Sequence, residues 1–309
     1  MSNNRSKRPR KKYHWCFKVI FGLLILVLVE RLCYRATAGF QIARIRTPAT
    51  ITSFEKQIVN PPLPDGLRAK LKQPFHFLGS GSQSFAFVSA DGQYVLKVFK
   101  QHHFVIPSFI NACPLPSFLS NPAQKLVRFQ ETKREQFMRS CVLASTAWQE
   151  ETGTLYAHLA NSTDLGFSLT LIDKLHISHS VPADSLQFAL QKRANLVMPT
   201  LKNLLVNGQK EEAEECIRSL ISLIKTRCQK GVGDRDPVVR RNFGFIGLQA
   251  VEIDIGSYYE NRYLPQEPLY SRAVFFEIKN LHGWLEDHFP ALSPIARQEL
   301  DPFLVAEAP

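Results

Sequence analysis

No C-x-x-C pair occurs among the six cysteines (Cys16, Cys33, Cys113, Cys141, Cys216, Cys228), which excludes zinc-ribbon and thioredoxin-like motifs and leaves them to be read as reduced thiols. No apolar run is longer than the eleven residues Val19 to Val29, about half of what a helix needs to cross a bilayer core. The body of the chain also lacks a charge excess. Of the formal +11, residues 1–46 contribute +10, eleven Lys/Arg against the single Glu30, while the other 263 residues carry 27 basic and 26 acidic groups. A basic leader on a balanced body speaks against a nucleic-acid partner. What is present, 309 residues with 45% apolar and 21% charged, excludes disorder, collagen and a disulfide miniprotein and leaves a large domain or two lobes.

Arg5, Lys7, Arg8, Arg10, Lys11 and Lys12 precede the apolar run. If Lys18 snorkels to the headgroups, with Trp15 and Tyr34 as interfacial aromatics, the usable helix becomes residues 15–34, about 20 residues. The expectation is a basic tail over 1–14, then a single-pass anchor in the lipid bilayer over 15–34. A cleaved signal peptide competes, because Ala36-Thr37-Ala38 has the small-x-small form, but Glu30, Arg31 and Arg35 make the stretch before it long and charged. Both flanks are basic, so the side of the membrane on which the body lies stays open. Pro48 and the run Asn60-Pro61-Pro62-Leu63-Pro64-Asp65-Gly66 mark residues 35–73 as a linker.

From Pro74 the pattern turns to strands: Phe75 to Leu78, Phe85 to Val88 and Tyr94 to Phe99, rich in aromatic and β-branched residues. Gly79-Ser80-Gly81-Ser82-Gln83-Ser84 breaks the first pair, and Asp91-Gly92 is a hairpin signal in the second. A Gly-rich connection between antiparallel strands has no helix N-terminus to hold a phosphate, so its backbone amides must cover it. Lys97 on the third strand can reach under that loop. An apolar insertion, Phe104 to Leu119, follows, broken by Pro107, Pro114 and Pro116, so it predicts no membrane helix. A helix is predicted over 124–148, a strand over Phe167 to Ile172, a hinge near Asp173-Lys174-Leu175 and two helical stretches over about 183–229. In the second of these Ala213, Cys216, Ile217, Leu220, Ile221 and Ile224 have helical spacing. Asp234-Arg235-Asp236, Asn242 and Asp254-Ile255-Gly256 come next, and further helices are predicted around Ser271 to His288 and Ser293 to Leu304.

In this order the motifs resemble the protein-kinase-like superfamily. The resemblance covers about residues 74–256. It implies an α+β, bilobal protein-kinase-like fold after an N-terminal transmembrane helix: a small antiparallel-sheet N-lobe over 74–175 and a mainly helical, reduced C-lobe over 176–309. It implies nucleotide binding by Gly79, Gly81, Ser84, Val88 and Lys97, with Lys97 paired to Glu135, or to Glu131 one turn earlier. Asp236 would be the base, favoured over Asp234 by the Arg-Asp match, and Asn242 and Asp254 would hold Mg²⁺ on ATP. Three departures stand out. Ser84 replaces the third glycine, Asn242 follows Asp236 by six residues where the family has five, and no Ala-Pro-Glu occurs in the 53 residues after Gly256. The resulting expectation is a membrane-anchored ATP- and Mg²⁺-dependent phosphotransferase of unknown acceptor. A pseudokinase acting as a nucleotide-binding or scaffolding module is the alternative, and a tethered interaction domain a third reading.

Overall fold

The computed structural model describes residues 11–48, 52–102 and 117–305. The basic tail through Arg10 and most of the apolar insertion, residues 103–116, lie outside them. Helix α1 (Lys11–Thr37) carries the apolar run, with side chains from Phe17 to Leu32 exposed to solvent. No helix among the described residues is long and apolar enough to cross a membrane. The transmembrane helix expected over 15–34 is therefore not found, although a helix is: Lys18 and Glu30 bracket the apolar run at eleven residues.

A short α2 (Ile42–Ile45) buries Ile45, and α3 (Asp65–Leu71) buries Leu71. Between them Glu55 takes two hydrogen bonds from the buried Arg134 guanidinium, at 2.6 and 2.8 Å, and one from Gln187 at 3.0 Å. Burial works against the Glu55 charge, but these bonds and the Thr52 amide hold its pKa below the usual carboxylate range.

Strands β1 (Phe75–Ser80), β2 (Ser84–Ser89) and β3 (Tyr94–Phe99) follow the alternation read from sequence: Phe85 and Phe87, then Leu96 and Val98, point into the core. The turn between β2 and β3 is set by Asp91, which accepts from the Ser89 hydroxyl and the Gln93 amide, and by Gly92 at φ +70°. Helix α4 (Ser117–Ser145) crosses behind the sheet. Then come β4 (Thr154–His158), β5 (Ser168–Ile172), β6 (Ser178–Pro182) and β7 (Phe188–Lys192). The seven strands form one sheet in the order β4-β7-β3-β2-β1-β5-β6, parallel only between β1 and β5. Asp173-Lys174-Leu175, expected at the hinge, lies instead in the β5–β6 hairpin. The sheet ends at Lys192, because β7 pairs with both β3 and β4. Residues 188–192 are for the same reason strand and not helix, and before them only Ala183–Ser185 form a single 3-10 turn.

Past Lys192 a small ladder and helices form the second half: β8 (Asn195–Leu196), α5 (Val197–Val206), α6 (Lys210–Gln229), β9 (Val232–Asp234), α7 (Val239–Asn242), β10 (Phe243–Ile246), β11 (Gln249–Glu252), β12 (Tyr258–Glu260), α8 (Leu269–His288) and α9 (Ser293–Val305). All six residues that gave α6 its helical spacing are buried. One core lies within the sheet half, and a larger one joins α4 to α5, α6, α8 and α9. The chain is thus an α+β molecule with a sheet part and a helical part.

Candidate functional site

The Gly-rich connection is a tight hairpin. Gly79 and Ser80 still belong to β1, Ser84 already to β2, and the Gly81 amide donates to the Ser84 carbonyl at 2.9 Å. Under it β3 places Lys97, whose ammonium donates to the Ile253 carbonyl, while β11 runs on to Asp254. Burial pushes the Lys97 pKa down and the Asp254 charge opposes that.

From the other side α6 delivers Asp234-Arg235-Asp236. The Asp234 carboxylate turns inward: it meets the fully buried Arg227 at 3.2 Å and accepts the Asp236 amide at 2.9 Å. Asp236 turns outward, its side chain 47% exposed and 3.5 Å from Arg241. Asn242 donates its amide to the Asp236 carbonyl at 2.6 Å and to the carboxylate at 3.2 Å. The Ile253 amide in turn donates to the Asn242 carbonyl at 2.7 Å. The residue in excess between Asp236 and Asn242 is wound into the short helical turn α7, which lets the asparagine reach back to the aspartate.

One cleft of about 330 Å³ gathers Gly81, Ser84, Lys97, Asp236, Asn242 and Asp254. A second, of about 380 Å³, continues from it under the sheet between Leu78, Ala86 and Val95 on one side and the strand-end backbone of residues 191–196 on the other, sharing Lys97 and Ile253 with the first. The first mixes polar and apolar surface, and the second is mostly apolar.

Five expected site residues, counting Glu131 as the alternative to Glu135, are placed elsewhere. Glu135 pairs with Arg139 at 2.7 Å on an exposed face of α4, and Glu131 is exposed, so neither meets Lys97. Asp234 belongs to the buried cluster and not to the cleft. Gly79 is a strand residue paired with Ala86. Val88 lies further along β2, and Ala86 takes the cleft position expected of it.

Cys141 on α4 was not read as a site residue. It is buried near Lys97 and Asp254: burial, together with the Asp254 charge, pushes its thiol pKa up, and Lys97 opposes this. Ser140 beside it donates to the Ile255 carbonyl and accepts the Tyr258 amide, both at 2.7 Å, and so fixes the strand that follows Asp254. The Asp254 carboxylate accepts the Gly256 amide at 3.1 Å. Gly256 is closely approached from both sides: a Cβ there would push aside the flexible end of the Gln83 side chain from the hairpin tip and crowd Phe137.

The buried cluster beneath the cleft holds one guanidinium among three carboxylates. Arg227 meets Asp234, Glu252 at 2.9 Å and Glu277. The Trp148 indole donates to Glu252 at 3.0 Å. Burial pushes the Glu252 pKa up to about 7 against the pull of Arg227, with Asp234 adding to the rise, and burial raises Glu277 as well.

No protein-family profile matches the chain, and no curated protein does. Among solved structures, WbdD is 14% identical, covering 68% of this chain and 38% of its own at a TM-score of 0.33. Another structure of WbdD, described as a bifunctional kinase-methyltransferase, is 15% identical, with 64% and 34% covered at 0.30. Rv3197 from Mycobacterium tuberculosis, in complex with erythromycin, is 14% identical, with 77% and 61% covered at 0.34. The chain spans less than two thirds of the length of each. Likeness at this level carries no weight for fold or activity.

Proposed function

We propose that the chain is a kinase-like phosphotransferase that moves a phosphoryl group from ATP to a hydroxyl acceptor. The observation that supports this best is the single cleft lined by the Gly81 hairpin, Lys97, Asp236, Asn242 and Asp254, five features more than 130 residues apart in sequence at their extremes. The apolar continuation under Ala86 and Val95 suits a nucleobase, and the hairpin amides and Lys97 suit its phosphates.

The donor set fits Mg²⁺. Among the described residues no group of three or more His, Cys, Asp or Glu is arranged for a metal. The Asp254 carboxylate and the Asn242 amide oxygen are hard oxygen donors of the kind that shares Mg²⁺ with substrate phosphates. Bound ATP with Mg²⁺ would supply the transferable phosphoryl group. The chain's own part is to hold Asp236, oriented by Asn242, where its carboxylate can take the proton of the acceptor hydroxyl. Asp234 acts through its bond to the Asp236 amide and is a positioning residue.

A second reading is favoured by one observation. Among the described residues no helix carboxylate pairs with Lys97, which is held by the Ile253 carbonyl, as suits a module that binds nucleotide without transferring phosphate. Membrane attachment belongs to the proposal too: α1 exposes apolar side chains from Trp15 to Tyr34, about five turns, and such a surface needs a cover.

The test is ligand-induced stabilisation. ATP with Mg²⁺ at a hundredfold excess over its Kd should stabilise the full chain in uncharged detergent by about 2.7 kcal/mol. Lys97→Ala and Asp254→Ala should each reduce this. An unchanged shift in both variants removes the nucleotide site.

A further inference from the structure

The hairpin that roofs the catalytic cleft has a second face, and among the described residues the charged side chains that line the space behind it are all cations. This space, about 670 Å³, shares Gly81, Ser82 and Gln83 with the cleft of about 330 Å³ on the other side. Its other walls include Lys100 at the end of β3, Lys133, Gln136 and Phe137 of α4, and Arg235 with Ser257. No carboxylate lines it among the described residues.

The three cations are anchored by neutral groups. Lys100, only 5% exposed, donates to the Ser80 hydroxyl at 2.8 Å and to the Gly81 carbonyl, and lies 4.5 Å over the Phe85 ring. Arg235 donates to the Ser257 and Tyr258 carbonyls at 3.3 and 3.1 Å and covers the Tyr259 ring. Lys133 sits 4.4 Å over the Phe129 ring. None of the three enters an ion pair among the described residues, whereas their neighbours Arg134, Arg139 and Arg241 all do. Burial pushes the Lys100 pKa down and Arg44 adds to it, so its charge is held at a cost that an anion would relieve.

We propose that this space is an anion subsite, where a phosphate or carboxylate group of the acceptor is held by Lys100, Lys133 and Arg235. Unpaired cations in a walled cleft focus the potential on whatever enters, and charge-assisted hydrogen bonds fix it. Position ties the subsite to transfer. Arg235 lies between Asp234, which faces the scaffold, and Asp236, which faces the catalytic cleft, so an anion on Arg235 sets the acceptor one residue from the base. The space has the size of a small-molecule site. Tyr34, at the end of α1, stands on its rim, so a lipid headgroup and a soluble anion can both supply the same chemistry. The word acceptor rests on the phosphotransfer reading, but anion binding does not.

The experiment titrates inorganic phosphate, at ionic strength fixed with chloride, into the full chain in uncharged detergent and follows thermal stability with and without saturating Mg²⁺-ADP. A saturable stabilisation is expected that persists with ADP bound. Lys133→Ala should weaken the apparent affinity about threefold to fivefold, and Lys133→Ala with Arg235→Gln more than about tenfold. Equal shifts in wild type and both variants, or a phosphate effect that ADP abolishes, overturn the subsite, the latter because phosphate then occupies the nucleotide cleft. A missing ADP shift with an intact phosphate shift sinks the nucleotide reading and leaves the subsite standing. Doping the micelles with phosphatidylglycerol separates the sources: a headgroup ligand competes with phosphate in wild type and not in the double variant, and a soluble ligand leaves the phosphate titration unchanged.

Discussion

Two carboxylates separated by one residue, Asp234 and Asp236, stand in opposite surroundings. The Asp234 side chain is 3% exposed and bonded to a guanidinium that no solvent reaches; the Asp236 side chain is 47% exposed and faces the cleft with Asn242. Strand alternation would put residues two apart on one face, but β9 ends at Asp234 and the chain turns there, the Asp234 carboxylate accepting the Asp236 amide, so the two side chains part and one motif serves scaffold and chemistry together. The contrast teaches that the charged groups of this molecule divide by what they can meet. The buried cluster of Arg227, Asp234, Glu252 and Glu277 meets only other groups of the protein, and its task is to hold the loop above it. The cleft group of Lys97, Asp236, Asn242 and Asp254 can meet a ligand.

That division breaks first at Arg227. Arg227→Met would leave three carboxylates buried without a cation, at a cost of about 3–5 kcal/mol, read by urea denaturation. A loss below about 1 kcal/mol would mean that the cluster does not carry the loop.

Glu252 sharpens the same point through pH. Its folded pKa of about 7 lies above the ordinary carboxylate value of 4.5, so the folded state binds the extra proton. The stability it contributes is present below pH 4.5 and is lost as pH rises through about 7, at about 1.4 kcal/mol for each pH unit crossed. Glu252→Gln keeps an acceptor for the Trp148 indole and should flatten this fall between pH 5 and 7. His158 has the opposite sign, because burial lowers its pKa, and the difference between wild type and variant removes it. Equal pH slopes in the two proteins would show that Glu252 is ionised throughout.

The smallest effect belongs to Glu135. Its pair with Arg139 is exposed, so Glu135→Ala should cost about 0.3–0.5 kcal/mol and leave the nucleotide-induced shift intact. Loss of that shift would return Glu135 to Lys97 as its partner.

How much of this was legible depends on what each residue answers to. Lys97, Asp236, Asn242 and Asp254 could be read because each sits beside local punctuation: a strand, a proline turn, a hairpin. Helix α6 could be read because its buried residues repeat at helical spacing. Glu135 was misplaced although a signal existed. Arg134, Phe137, Met138, Cys141 and Ala144 form the buried stripe of α4, and Glu135 lies off it. The hinge was misplaced because β5 and β6 are an added hairpin on the edge of the sheet, and pairing between β3 and β7, from Tyr94 with Lys192 to Val98 with Phe188, leaves no local trace. Lys100 and Cys141 answer only to tertiary neighbours, so spacing could not find them.

The most direct measurement is ATP hydrolysis at high protein concentration by wild type, Asp236→Asn and Asp234→Asn, each beside a Mg²⁺-ATP binding isotherm. The division of the two carboxylates predicts that Asp236→Asn binds Mg²⁺-ATP as wild type does and turns over at least about a hundredfold more slowly. Asp234→Asn should lose stability and keep a fraction of the rate in proportion to the folded protein. Full turnover in Asp236→Asn, with activity abolished in a well-folded Asp234→Asn, would contradict the account.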